Sequence, residues 1–243
     1  GTHIGGGGGS SNPGKNPDPP EGDDDITKNN FLEKVMTPQF KQKIRDELGV
    51  NPDKIPILLG SDLIHNAQTN MAYYSVDGNI HVYDECFTRG YSWDDMEAIM
   101  YHEYVHAKQH LVDGIELPRN ENNEIIMQEY VVPVSQWDLN KEWEEVNAIM
   151  ETMGISLNAD ERTPIEEDAF QFYKDMHVTP IENAIQNGET QIKECNKDAV
   201  LEDIEAYRRQ LEQYEGRMSA KLTEQTKDNL DWCRYLWNVI KSQ

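Results

Sequence analysis

Tyr101-His102-Glu103-Tyr104-Val105-His106 holds two histidines four residues apart, with a glutamate directly after the first. On a helix such a pair lies on one face, ~6 Å apart along the axis, so both imidazoles can reach one cation. Glu103 is rotated off that line, where its carboxylate suits proton transfer to and from a metal-bound water rather than ligation. In a chain of 243 residues with 7 histidines, chance would produce this H-E-x-x-H spacing roughly 0.02 times. The chemistry it points to is zinc-assisted hydrolysis.

Catalytic zinc takes three protein ligands and leaves one position open. His110 lies ~12 Å from His102 along a straight helix, too far to share an ion. The extended H-E-x-x-H-x-x-G-x-x-H pattern is excluded, because Gln109 and Val112 stand where its glycine and third histidine belong. Carboxylates on later helices remain. Over 163–177, helical spacing predicts a core stripe of Ile165, Ala169, Phe172 and Met176, flanked by Glu166, Phe170, Tyr173 and His177. Glu166 is the expected third ligand, and Glu142, beside an apolar stripe on the preceding helix, is the runner-up. Tyr173 and His177 share the face of Glu166 and are the candidate oxyanion-stabilising groups, with Tyr104 and His81 behind them.

These residues need a helix to hold them. Ser92 can cap one with Asp95 three residues on, and Tyr91 can pack onto Met96. The helix is predicted from Trp93 to about Val112. Met96, Met100, Ala107 and Leu111 form one apolar stripe and Ala98, Tyr101, Val105 and Val112 another, with His102, Glu103 and His106 between them. Such a helix is largely buried and carries a polar slot. Ahead of it come a helical stretch over 30–48 broken near Thr37-Pro38, a short strand over 55–59, and two strands, 71–76 and 79–83, around the turn signal Asp77-Gly78. Behind it come an apolar stretch over 130–134, a helix over 139–153, and one opened by Thr163-Pro164 that runs to Met176. Two long helices, 197–215 and 220–240, close the chain as a hairpin packed on the domain. Their proposed stripes are Leu201, Ile204, Leu211, Tyr214 and Met218, then Leu230, Cys233, Leu236 and Ile240. The fold class is α+β: a small, mainly antiparallel sheet packed on the motif helix, with a mostly helical C-terminal part.

Residues 1–25, rich in Gly, Pro and Asp, read as a flexible tether; 26–243 read as a single domain, with 196–243 its C-terminal hairpin. The net charge of −23 makes nucleic acid and anionic membrane surfaces poor partners. No apolar run approaches the ~18 residues of a transmembrane helix. Three cysteines without C-x-x-C spacing argue against a cysteine zinc site and permit at most one bridge, Cys195–Cys233 being the more plausible pairing. In composition, the tether ahead of an acidic domain resembles the mature part of a bacterial lipoprotein. That implies an upstream lipid anchor and an extracytoplasmic place, at the cell surface or in the periplasm.

His102-Glu-Tyr-Val-His-Ala-Lys-Gln109, taken with Thr163-Pro-Ile-Glu-Glu-Asp-Ala-Phe170, resembles the gluzincin type of zincin metallopeptidases. It is closer to the bacterial and phage-encoded minimal zincins, with H-E-x-x-H-x-x-Q and a later N-P-x-E-x-D-A helix. The resemblance covers roughly 55–177, departs from the pattern at Thr163, and spaces the two motifs widely. It implies a zincin-like fold, Zn2+ held by His102, His106 and Glu166, a supporting Asp168, Glu103 as general base, and a peptide or protein substrate. It also implies an edge strand that borders the cleft and pairs with the substrate, for which 79–83 is the natural candidate. The alternative is a zincin-like cell-surface binding module with weak or absent turnover.

Overall fold

The computed structural model describes residues 26–60, 71–87 and 90–243. Their contacts divide them into two units: the residues up to Ile126 with Asn196–Asn238, and Met127–Cys195 with Val239–Gln243. The sequence suggested one domain over 26–243. Within that range, the segment between the motif helix and the C-terminal hairpin closes its own strand ladder and buries a core of its own.

In the first unit, α1 (Phe31–Lys34) and α2 (Pro38–Leu48) are separated at Thr37, whose hydroxyl accepts the Phe40 amide at 3.2 Å. That is the break expected at Thr37-Pro38. Strands β1 (Ile57–Leu59), β2 (Ala72–Tyr74) and β3 (Ile80–Val82) make a three-stranded sheet in the order β1-β3-β2. β2 and β3 form the expected antiparallel hairpin, with Tyr73 opposite His81, but β1 joins β3 in parallel. The sheet is mixed, not mainly antiparallel. It also places Ile80–Val82 in the centre, so among the described residues the edge strand beside β3 is β2, not 79–83. All three β3 residues are buried, as a central strand requires. Strand alternation alone cannot say on which side of a hairpin a third strand will add.

The motif helix α3 runs from Trp93 to Leu111. Its start is the expected capping box: the Asp95 amide donates to Ser92 Oγ and the Ser92 amide donates to Asp95 Oδ2, each at 3.1 Å. A further tie comes from Asp95 Oδ1, which accepts the Ser219 amide at 2.7 Å, while Arg217 reaches Asp94 at 2.6 Å. Both partners lie in the turn between α6 (Lys197–Tyr214) and α7 (Ala220–Lys241), so the C-terminal hairpin is pinned to the start of α3. The helix is buried almost all round, through Met96, Ile99, Met100, Tyr101, Tyr104 and Val105 among others; only its end emerges, where Leu111 and Val112 are exposed instead of completing their stripes.

α6 packs along α3, but not through the stripe proposed for it. Leu201 is exposed, whereas Val200, Ala206, Tyr207, Gln210 and Tyr214 are buried. The face turned to α3 is partly polar, for the reason given by the site.

The second unit pairs β4 (Gln128–Pro133) with β5 (Thr190–Cys195) antiparallel, from Gln128 opposite Cys195 to Pro133 opposite Thr190. α4 (Gln136–Met153) and α5 (Pro164–Asn187) lie between them in the chain. β5 carries no strong sequence signal, and α5 runs past the expected end at Met176, through Pro180. The core is Val146, Met150, Ile155 and Val178, with Leu139, Trp143, Ile149, Ala169, Phe170 and Tyr173 against it. The stripe predicted for that core faces solvent: Ile165, Phe172 and Met176 are 82 %, 59 % and 52 % exposed. The helix is turned by about one residue, ~100°, because Phe170 stacks on Trp143 with ring centroids 6.3 Å apart and Arg162 covers its other face at 4.0 Å.

None of Cys86, Cys195 and Cys233 is in a disulfide. Among the described residues, no helix is long and apolar enough to cross a membrane.

Candidate metal centre

α3 carries His102 and Glu103 fully buried and His106 nearly so, and the two imidazole rings stand 5.1 Å apart. Each ring is held from behind by a glutamine. His102 Nδ1 meets Gln210 Oε1 at 2.8 Å, and His106 Nδ1 meets Gln109 Oε1 at 2.7 Å. Neighbouring groups settle which way each amide points. Gln109 Nε2 donates to the Glu202 carbonyl at 2.9 Å and to Glu205 Oε1 at 3.0 Å, both pure acceptors. Gln210 Nε2 faces Thr226 Oγ1 at 3.5 Å, and that hydroxyl has already committed its proton to the Leu222 carbonyl. Both amide oxygens must therefore face the histidines, so both Nδ1 atoms carry the proton and both Nε2 atoms carry a lone pair.

Those two Nε2 atoms are buried and have no hydrogen-bond partner. An orphaned buried acceptor costs about 1–3 kcal/mol, and two side by side on one helix face call for an electrophile. Burial drives His102 well below the usual imidazole range and takes His106 down to about 4. Both rings are thus neutral at pH 7, the form that binds metal. The donor set and its protonation fit zinc.

Glu103 is oriented by the sheet: its Oε2 accepts the Tyr74 amide at 2.8 Å. Ser75 and Met71 bond to β3 through the Asn79 carbonyl and the Tyr83 amide. By antiparallel alternation, the backbone groups of Ala72 and Tyr74 therefore turn away from β3, toward the outer edge of β2. The general-base candidate sits on that edge.

α6 supplies the rest. The Tyr207 ring lies 4.6 Å from that of His102, and Asp203 Oδ1 lies 3.6 Å from His106 Nε2. Burial raises both the Asp203 and Glu202 carboxyls to about 7. Among the described residues, no three His, Cys, Asp or Glu side chains stand in a ready-made metal geometry.

The carboxylates expected as third ligand lie in the second unit. Glu166 closes the capping box of α5, its Oε2 accepting the Thr163 amide at 2.8 Å, and Glu142 meets His177 at 3.3 Å. Tyr173 packs on that unit's core. His110 bonds the Tyr74 hydroxyl at 2.8 Å, His81 bonds Asp77 at 3.0 Å, and Tyr104 packs edge-on to Phe40. Asp203, Tyr207 and Gln210 were missed. Their signal was present as a polar and aromatic face at i, i+4 and i+7, which a search for apolar stripes passes over.

Compared with protein-family models, curated proteins and solved structures, the chain matches none.

Proposed function

We propose that this chain is a zinc-dependent metallopeptidase of zincin type, in which His102 and His106 hold the ion through Nε2 and Glu103 is the general base. The observation that carries this reading is the pair of buried, partnerless Nε2 lone pairs beside a positioned glutamate. Bound zinc supplies a Lewis acid and a water of lowered pKa. The Tyr74 amide holds Glu103 Oε2 and so orients the carboxylate that would take the proton of the attacking water. Glu103 then returns that proton to the leaving amine nitrogen, so water adds across the scissile C–N bond and an acid and an amine are released. The outer edge of β2 suits an extended peptide, because the remaining backbone groups of Ala72 and Tyr74 face that way. This edge next to a general base favours peptide over other acyl substrates. The composition of residues 1–25 supports an extracytoplasmic, tethered placement.

The test is zinc content and peptide hydrolysis for the wild type and Glu103→Gln. The variant should keep its zinc and lose roughly 10²–10⁴-fold in activity. Hydrolysis at the wild-type rate by Glu103→Gln, or a wild type that takes up no zinc, contradicts the reading.

A second reading, a zincin-like metal-binding module without turnover, is favoured by one observation: His102 and Glu103 have no solvent exposure. It predicts stoichiometric zinc and no hydrolysis in the wild type.

A further inference from the structure

Two helices meet at the histidines, and only α3 was expected to carry metal chemistry. We infer that Asp203 of α6 is the third zinc ligand, completing a His102–His106–Asp203 set. This rests on the metallopeptidase reading above and makes α6 part of the metal centre.

Geometry comes first. Two atoms bound ~2.05 Å from one ion at the tetrahedral angle stand ~3.4 Å apart. Asp203 Oδ1 and His106 Nε2 are 3.6 Å apart, close to that separation and too long for a hydrogen bond. His106 Nε2 is an acceptor, because Gln109 keeps the ring proton on Nδ1, and an ionised Asp203 oxygen is an acceptor as well. A cation between the two would satisfy both. Among the described residues no lysine or arginine pairs with Asp203.

The neighbouring carboxylate does not compete. Glu205 is engaged by Lys108 at 3.2 Å, by Gln109 at 3.0 Å and by Arg209 at 3.6 Å. Asp203 keeps 24 % of its side-chain exposure, which leaves its carboxylate room to turn onto the ion.

Register comes second. α6 is tied to α3 on both sides of Asp203, through the Glu202 carbonyl to Gln109 and through Gln210 to His102. The contacts that fix the two imidazole tautomers therefore also fix the position of Asp203. The Glu166 carboxylate caps its own helix.

Zinc affinity of the full chain, measured by competition with a chromophoric chelator, separates the cases. The wild type should bind one zinc. Asp203→Asn, near-isosteric, should weaken binding by about 100-fold or more with circular dichroism unchanged, and Glu166→Gln should not. If Asp203→Asn fails to fold, the cobalt(II) spectrum of Asp203→Glu carries the test, its d–d bands shifting against wild type when residue 203 ligates. Wild-type affinity in Asp203→Asn, or unshifted cobalt bands, overturns this assignment alone. Loss of zinc from Glu166→Gln but not from Asp203→Asn moves the ligand to Glu166. A wild type that binds no zinc overturns the metallopeptidase reading itself.

Discussion

α3 and α5 carry the two motifs, and the structure treats them differently. Up to Gln109 the residues of α3 lie where a helical wheel puts them, because the helix is buried on nearly every side there and its orientation matters little to what is covered. α5 is amphipathic in a small unit, with apolar residues on two adjacent faces. Its orientation was decided by the Trp143–Phe170–Arg162 stack rather than by the longer Ile165–Ala169–Phe172–Met176 stripe. A wheel is thus dependable for a helix sunk in a core and weak for one that shares a thin core with a single partner.

The contrast is broken or sharpened by substitution. Met150 is fully buried in the second unit's core, so Met150→Ala should cost about 2–5 kcal/mol in denaturant unfolding, whereas Phe172→Ser should move stability by no more than about 0.5 kcal/mol. A large loss from Phe172→Ser would mean that the predicted stripe is the packed one after all. In the first unit, the corresponding probes are the glutamines behind the histidines. Gln210→Leu and Gln109→Leu should each weaken zinc binding by about 10–100-fold, since each releases an Nδ1 proton from its acceptor. Equal affinity in both variants would show that the tautomers are set by something else.

A smaller effect comes from pH in the metal-free protein. The Asp203 carboxyl is raised to about 7, well above the ordinary aspartate value. The folded state then disfavours the charged form above pH 7, and that penalty is relieved as pH falls from about 7 to about 4. Asp203→Asn should therefore melt above wild type at pH 8 in chelator, and the gap should narrow by pH 5. His106, lowered to about 4, acts in the opposite sense, weakening the fold as pH falls from about 6.5. A gap that widens toward pH 5 would contradict the burial of Asp203.

Much of the first unit was legible in its sequence. Local signals with steric or hydrogen-bonding causes, such as Ser92 with Asp95, Thr37-Pro38 and Asp77-Gly78, each marked a real boundary. His102, Glu103 and His106 are readable because four-residue spacing is geometry that a helix enforces. What was not legible depends on pieces distant in the chain. The parallel addition of β1 to β3, the closing of β4 on β5, and the approach of Asp203 and Gln210 to α3 all lie beyond any local pattern. For α6 the apolar-stripe rule failed because a helix that faces a polar site must itself be polar there.

The most direct test of the central claim is zinc K-edge X-ray absorption on the purified, zinc-loaded wild type. The account predicts two imidazole nitrogens and at least one carboxylate oxygen at ~2.0–2.2 Å, with no sulfur near ~2.3 Å. A spectrum with fewer than two imidazoles, or with sulfur in the coordination shell, would contradict a metal centre built on His102 and His106.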